Sequence, residues 1–272
     1  MDAEGIRQVA DRVKGATRVI VLTGAGISQE SGVPTFRGAD GLWQNFRAED
    51  LATLEAFEKD PVLVWQWYDW RRSLIKPLKP NAAHYALADL EKRTKDFTLV
   101  TQNVDGLHKD AGSEHPIEMH GTLWGVRCTK CHKSFENRDV PIHIPPKCEA
   151  CGGLLRPAVV WFGEALDQEI LYEIYHCLER AQAMLVVGTS GAVQPAASFG
   201  LAAKRAGAFV AEVNRSKTPQ SGFLTFPFKA RPESSCRSWW SRLANDFLAL
   251  TFTEKQKLQL LRCAAPFVAA TY

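Results

Sequence analysis

The sequence predicts an α/β fold in which helices cover both faces of a parallel sheet, with a small zinc-ribbon domain in addition. Three observations support this prediction. Short apolar runs alternate with segments of helical periodicity, glycines follow the first apolar run, and four cysteines fall into two C-x2-C pairs. Continuous apolar runs are typical of parallel strands buried on both faces, and their alternation with helices indicates a sheet covered on both sides.

The composition is that of an ordinary globular protein. The chain has 272 residues, of which 46% are hydrophobic and 23% charged, and its net charge is +3. This charge is too small to indicate a nucleic-acid partner, and no apolar run reaches the roughly 18 residues of a membrane span. Residues 1–15 carry acidic side chains and no apolar stretch, unlike a secretory signal. We therefore expect a cytoplasmic protein without a nucleic-acid or membrane partner.

The predicted elements follow from periodicity. Residues 4–16 have apolar side chains at helical spacing, and RVIVLT (18–23) is the first apolar run. Further strands are predicted at 97–100, 183–188 and 209–214. Further helices are predicted at about 61–76, 81–93, 167–181 and 195–206. Ligands of such sheets bind beyond the carboxyl ends of the strands, so the residues that follow these runs are the candidates for function.

A glycine-rich segment, TGAGISQESGVPTFRG, spans residues 23–38 directly after the first strand. Gly24 and Gly26 could let the backbone approach a phosphate. The spacing is not G-x-G-x-x-G, however, and the segment lacks the lysine of a P-loop, so the two glycines alone fit a tight strand-to-helix turn equally well. The length of the polar segment favours a functional loop.

Polar side chains also follow the strand at 97–100. Gln102, Asn103 and Asp105 could bind an amide or a ribose, although asparagine and aspartate at this position also cap helices. His120 follows a short predicted strand, PIEM. A single histidine is more often structural, but its place at a strand end makes it a candidate general base.

The cysteines provide the most specific local pattern. Cys128, Cys131, Cys148 and Cys151 form C-x2-C-x16-C-x2-C, the spacing of two knuckles that bind one tetrahedral Zn²⁺. Four thiolates leave no open coordination position, so the ion is expected to be structural. A zinc ribbon can also bind nucleic acid, but this one interrupts an α/β domain, which favours a scaffold.

These segments together resemble the sirtuin family of NAD-dependent protein-lysine deacylases. The resemblance covers about residues 5–228 and includes GAGISQESGVPTFRG, TQNVDGLH, HGT at 120–122, the cysteine ribbon, VVWFGE at 159–164 and GTSGAVQPAA at 188–197. It implies a Rossmann-like NAD domain made of residues 1–50, 95–121 and 157–272, a helical insert at 51–94 and a zinc ribbon at 122–156. It also implies that NAD is consumed, with release of nicotinamide and O-acyl-ADP-ribose.

The resemblance assigns a role to each matching residue. His120, Asn103 and Asp105 are expected to be catalytic, and Val160, Phe162, Gly163 and Glu164 to pair with the substrate backbone as an added strand. The residues expected to bind NAD are Gly24, Ala25, Gly26, Thr35, Phe36, Arg37, Trp43, Gln102, Asn103, Asp105, Gly188, Thr189, Ser190 and Asn214.

The segment WQWYDWRRS (65–73) indicates the acyl specificity. Sirtuins that remove acidic acyl groups carry Tyr-x-x-Arg in the acyl pocket, and Tyr68 and Arg71 match this pattern. Arginine offers two parallel N–H donors to a carboxylate, so succinyl, malonyl and possibly glutaryl groups are expected. Ala52 resembles the small residue that leaves room for such groups. Arg72 is expected to extend to solvent.

The chain departs from the family after FLTFPFK (223–229). Instead of a glycine-rich turn and a Leu-Pro helix, residues 230–272 begin ARPESSCRSWW, and a frameshifted coding segment is one hypothesis for this tail. Two alternatives to the acidic-acyl deacylase stay open. One is the same fold acting mainly as a deacetylase or as an ADP-ribosyltransferase, and the other, because of the altered tail, is a protein that binds NAD and zinc without catalysis.

Overall fold

The structure, a computed structural model, describes residues 3–34, 46–214, 217–224 and 226–229. In the described part of the chain the helices are α1 (Ala3–Lys14), α2 (Ala48–Leu51), α3 (Leu54–Lys59), α4 (Pro61–Ile75), α5 (Ala82–Arg93), α6 (Leu107–Asp110), α7 (Gln168–Arg180) and α8 (Ala196–Arg205), with a 3₁₀ helix at Ala25–Ser31. The strands are β1 (Arg18–Thr23), β2 (Asp96–Thr101), β3 (Ile117–Glu118), β4 (Gly121–Cys128), β5 (Ser134–Glu136), β6 (Leu155–Val159), β7 (Ala183–Val187), β8 (Phe209–Asn214) and β9 (Phe226–Lys229).

Six of the described strands form a parallel sheet in the order β3-β2-β1-β7-β8-β9. Alternate residues of β1 point to opposite faces. Val19 and Val21 pack with apolar side chains of α1 and α5, whereas Ile20 and Leu22 pack with those of α7 and α8. Both faces of the sheet are therefore covered by helices, as the continuous apolar runs predict.

A second unit contains the three-stranded antiparallel sheet β5-β4-β6 and the cysteine pairs. Its apolar core is continuous with α4, because Trp65 and Trp67 are fully buried against Leu123 and Leu155. The Trp65 Nε1–H donates to the carbonyl oxygen of Leu155 across 2.8 Å. Helix α4 is thus packed directly on the zinc-ribbon sheet.

Helix α4 begins where the local sequence favours a helix start. The Asp60 carboxylate accepts the backbone N–H of Leu63 at 2.9 Å, and Pro61 occupies the first turn, where its missing N–H costs nothing.

Among the described residues, no helix combines the length and the apolar character needed to cross a membrane.

Candidate active site

The carboxyl ends of β1, β2 and β7 meet at one edge of the parallel sheet. Gly26 N–H donates to Gly188 O across 2.7 Å, and the Gln102 side-chain amide donates to Thr189 Oγ1 across 3.0 Å. The Asn103 amide reaches the carbonyl oxygen of Gly24 at 3.2 Å. Segments that are distant in sequence are therefore joined at the edge where parallel sheets bind ligands.

Glycine is required where two of these segments cross. A Cβ on Gly26 would lie 2.6 Å from Gly188 O, and one on Gly188, whose φ is +63°, would lie 2.4 Å from the Ile27 nitrogen. Any side chain at either position would push the loops apart. The close crossing keeps backbone, rather than side chains, at the floor of the site.

Asp105 is buried and its two carboxylate oxygens have different partners. Oδ1 accepts the backbone N–H of Leu107, the first residue of α6, at 2.9 Å, although the residue at the N-cap is Gly106. Oδ2 accepts the hydroxyl of Ser28 at 2.7 Å, and that hydroxyl also accepts from the Asn103 amide at 3.1 Å. Burial raises the pKa of Asp105, whereas the bonds from Leu107 and Ser28 lower it. Asn103 and Asp105 are thereby fixed as a pair through Ser28.

A buried layer that the motifs did not indicate lies behind this pair. His84 Nε2 is 3.3 Å from Ser28 Oγ, and the rings of His84 and His108 are 4.9 Å apart. His108 Nε2 lies 2.9 Å from the hydroxyl of Thr23, at the end of β1. Burial lowers the pKa of His108 to about 4. Burial also lowers the pKa of His84 well below its usual value, and the neighbouring His108 acts in the same direction. Both rings are neutral at pH 7.

His120 is half-buried and its ring orientation is fixed. Nδ1 lies 3.0 Å from the carbonyl oxygen of Gln102. A carbonyl oxygen only accepts, so Nδ1 carries the proton and Nε2 keeps its lone pair. Burial lowers the pKa of His120, although the bond to Gln102 opposes this. The neutral imidazole therefore predominates at pH 7 with Nε2 available as a base.

Tyr68 and Arg71 lie on α4 and are almost completely buried, with 2% and 8% of their surfaces exposed. The Tyr68 hydroxyl accepts the indole N–H of Trp161 at 2.8 Å, and the Arg71 guanidinium lies over the Trp67 ring at 5.3 Å. Burial lowers the pKa of Arg71, and the charges of Tyr68 and Asp105 raise it. Arg71 is thus a buried guanidinium whose pKa is influenced by the charges of Tyr68 and Asp105.

Arg72 contradicts the prediction that its side chain extends to solvent. Its surface is 0% exposed. Nε donates to Leu123 O at 2.8 Å and Nη1 to Asn137 Oδ1 at 2.7 Å, and the guanidinium lies 5.5 Å from the Trp65 ring centre. Burial lowers the pKa of Arg72 to about 10. The prediction was wrong because β4, about fifty residues further along the chain, covers this face of α4.

The segment that follows β6 is tied to both sides of the site. Val160 N–H donates to His120 O, and Phe162 N–H donates to Ala52 O, each across 2.9 Å. Ala52 is buried, whereas the Phe162 side chain is about half exposed. The Glu164 carboxylate is bonded to Arg156 at 2.5 Å. Because the N–H groups of Val160 and Phe162 are already bonded within the protein, a substrate strand added at 160–164 would pair with other backbone groups of this segment.

The segments after β7 and β8 lie together at the far end of the site. The Asn214 side-chain amide donates to Thr189 O, and Thr189 Oγ1 accepts Gly191 N–H at 3.4 Å. Ser190 is exposed. Ala25, at the start of the 3₁₀ helix, is half-buried beside the glycine crossing.

Four residues predicted to bind NAD lie outside the described residues: Thr35, Phe36, Arg37 and Trp43. The tail from residue 230 lies outside them as well.

The four cysteine sulfurs meet in the zinc-ribbon unit. All four Sγ atoms lie within 4.8 Å of one another, with Cys128 and Cys151 3.5 Å apart and Cys131 and Cys148 3.8 Å apart. Tetrahedral Zn²⁺ with Zn–S bonds of about 2.3 Å requires S···S distances of roughly 3.8 Å. The backbone N–H groups of Lys130 and Cys131 point to Cys128 Sγ at 3.3 and 3.4 Å, which favours a thiolate. The residues present therefore fit a structural zinc ion.

Comparison with known proteins gives one consistent result. A family model described as Sir2 family matches residues 24–195. A protein of Aquifex aeolicus named NAD-dependent protein deacylase is 49% identical over 230 residues, which cover 84% of this chain and 96% of the relative. A protein of Caldanaerobacter subterraneus named NAD-dependent protein deacylase 1 is 51% identical over 212 residues, which cover 78% of this chain and 88% of the relative.

Solved structures agree. The structure of a Sir2 homolog–NAD complex has 43% sequence identity and a TM-score of 0.81, and the match covers 89% of this chain and 94% of that one. A Sir2 complex with a p53 peptide and NAD⁺ has 31% identity and a TM-score of 0.76, with 89% and 98% covered.

Proposed function

The chain belongs to the Sir2 family, and from that premise we propose that it is an NAD-dependent protein-lysine deacylase that prefers acidic acyl groups. The proposed substrates are proteins or peptides that carry succinyl-, malonyl- or glutaryl-lysine. The relatives named above support NAD-dependent deacylation. The acidic preference is supported by one observation above all: Tyr68 and Arg71, a phenol and a guanidinium, are buried together on α4.

The electrostatics of this pocket favour an anionic ligand. The Arg71 side chain is withdrawn from water, and burial is the main influence that lowers its pKa. A carboxylate that entered the pocket would be attracted by the charge of this buried guanidinium and could accept hydrogen bonds from it. A charge-assisted hydrogen bond of this kind contributes about 1.5–3 kcal/mol, or roughly one to two decades in preference over an acetyl group.

The remaining residues have roles that follow from their positions. NAD, as co-substrate, supplies an electrophilic ribose carbon when it is bound. Gln102, with Asn103 and Asp105 held by Ser28, would bind the nicotinamide ribose and its carboxamide. Gly24, Ala25 and Gly26 would line the dinucleotide, and Gly188, Thr189, Ser190 and Asn214 would bind the adenosine half. His120 Nε2 would accept a proton from a ribose hydroxyl, and Val160, Phe162, Gly163 and Glu164 would line the substrate strand.

The alternative of a plain deacetylase differs only in the acyl pocket, where Ala52, Tyr68 and Arg71 would have no charged partner in the substrate. A non-catalytic binding protein would have no need of an oriented His120.

The cytoplasmic location expected from the sequence stays a prediction.

The experiment is a comparison of acyl groups on one peptide. Peptides that carry acetyl-, malonyl-, succinyl- or glutaryl-lysine are incubated with the protein, with and without NAD, and the products are quantified by mass spectrometry. We expect NAD-dependent formation of the peptide with unmodified lysine, together with nicotinamide and O-acyl-ADP-ribose, with kcat/KM for succinyl or malonyl at least tenfold that for acetyl. Equal or lower values for the acidic groups would contradict the proposed preference.

A further inference from the structure

We propose that Trp161 is a positioning residue for acidic acyl groups: its indole N–H occupies an acceptor position of the Tyr68 hydroxyl and thereby directs the phenol hydrogen toward the acyl carboxylate. This inference rests on the proposed function. It assigns to Trp161 a role in specificity that none of the sequence motifs indicated.

The hydrogen-bond chemistry of the two groups allows one arrangement. An indole nitrogen only donates, so in the 2.8 Å contact the Tyr68 oxygen must accept. The phenol hydrogen then points away from Trp161. A carboxylate only accepts, so it can use this hydrogen, whereas the methyl group of an acetyl substrate cannot.

Burial makes this arrangement persistent. Trp161 and Tyr68 are each only 2% exposed, so water does not compete freely for the phenol oxygen. Burial raises the pKa of Tyr68 to about 12, and the bond from Trp161 and the charges of Arg71 and Arg156 lower it less strongly. The phenol therefore keeps its proton throughout the physiological range and remains a donor.

Trp161 is itself held in place by charged groups. The Arg156 guanidinium lies 3.5 Å from the centre of the indole ring. Its Nη atoms are bonded to the Glu164 carboxylate at 2.5 and 2.8 Å, and Glu164 Oε2 accepts the backbone N–H of Trp161 at 2.8 Å. Phe57 contacts the same indole, with 5.2 Å between ring centres. The plane of the indole, and so the direction of its N–H, is fixed from several sides.

Trp65 provides a matched control for Trp161. It is also fully buried, lies in the same apolar cluster and donates its indole N–H at 2.8 Å, but to the carbonyl oxygen of Leu155. Phenylalanine at either position removes one buried indole hydrogen bond. Only the substitution at Trp161 removes a bond to the phenol.

The test measures kcat/KM for succinyl- and acetyl-lysine forms of one peptide at saturating NAD. The proteins are the wild type, Tyr68→Phe, Trp161→Phe, the double variant and Trp65→Phe. We expect Trp161→Phe to lower the succinyl-to-acetyl ratio about three- to tenfold, mainly through KM for the succinyl peptide. In the Tyr68→Phe background the same change should leave the ratio unaltered, and Trp65→Phe should retain the wild-type ratio.

The outcomes separate this inference from the function on which it rests. A wild-type protein without a succinyl preference contradicts the proposed function. A wild-type preference that Tyr68→Phe reduces but Trp161→Phe leaves intact overturns the role of Trp161 alone. An equal effect of Trp161→Phe with and without the Tyr68 hydroxyl also overturns it.

A second measurement needs no substitution of Trp161. In protein labelled with ¹⁵N-tryptophan, the indole resonance that changes most in Tyr68→Phe identifies the partner of the phenol among the eight tryptophans. In the wild type, the succinyl peptide should shift this resonance more than the acetyl peptide does. A resonance that responds equally to both peptides, or the absence of any indole resonance that responds to Tyr68→Phe, overturns the proposal.

Discussion

The Nε atom of Arg72 donates to the carbonyl oxygen of Leu123 across 2.8 Å, inside the contact between α4 and the zinc-ribbon sheet. The neighbouring Arg71 is also buried, but its guanidinium lies over the Trp67 ring at 5.3 Å. Two consecutive arginines thus lie in different surroundings: Arg72 joins two parts of the fold, and Arg71 is the residue proposed to recognise the acyl group.

Arg72→Met should destabilise the fold. The substitution leaves Leu123 O and Asn137 Oδ1 without their buried donor, at a cost of about 2–3 kcal/mol. We expect the midpoint of thermal unfolding to fall by roughly 5–10 °C, measured by calorimetry. Arg205→Met, at an exposed site near the end of α8, is the control. A midpoint for Arg72→Met within 1–2 °C of the control would contradict the structural role.

Zinc removal should unfold the zinc-ribbon unit and lower the stability of the remaining fold. The four sulfurs are arranged for tetrahedral coordination, and the free energy of metal binding contributes to folding. Elemental analysis should find one zinc per chain, and chelation should lower the unfolding midpoint and the activity together. Cys128→Ser should lose the metal, whereas Cys177→Ser, in α7, should retain it. Retention of zinc by Cys128→Ser would contradict this site.

His120→Ala should lose at least about 10²-fold in kcat, the usual loss on removal of a general base, while it still binds NAD. The exposed His115→Ala is the control. Because burial lowers the pKa of His120, the acid limb of the wild-type kcat/KM profile should lie below pH 6.5 and activity should be level through pH 7–8. An acid limb centred above pH 6.5, or near-normal turnover of His120→Ala, would contradict the assignment.

The stability of the protein should fall in mild acid. The unfolded chain binds a proton at His108 below about pH 6.5, whereas the folded protein does so only near pH 4. The free energy of unfolding is therefore greatest above pH 6.5 and decreases as the pH falls toward 4. His108 accounts for a decrease of up to about 3 kcal/mol, and His84 acts in the same direction. His108→Gln should flatten the pH dependence of urea unfolding. A dependence as steep as that of the wild type would show that other groups are responsible.

The sequence predicted the features that depend on local pattern. The strands RVIVLT and FVAEVN were identified because both faces of a parallel strand are apolar, and the structure confirms them as β1 and β8. The cysteine spacing predicted the sulfur cluster for a similar reason, since each C-x2-C pair forms a complete local knuckle.

Features that depend on distant segments were not predicted. Arg72 and Arg71 are adjacent in one helix, and only the position of β4 decides that Arg72 is covered. Ser28, His84 and Trp161 act through partners 56 to 93 residues away. Single polar residues in apolar surroundings carry no local signal for such contacts. Trp161 lies within the VVWFGE segment, but that segment does not indicate that the partner of its indole is Tyr68.

The most direct test of the central claim is the ratio of kcat/KM values for succinyl- and acetyl-lysine peptides in the wild type and in Arg71→Met, with Arg205→Met as the control. Loss of the guanidinium removes the charge-assisted contact, so the ratio should fall about 10- to 100-fold, while deacetylation changes by less than about threefold. Equal losses in both reactions, or an unchanged ratio, would contradict the claim that Arg71 recognises an acidic acyl group.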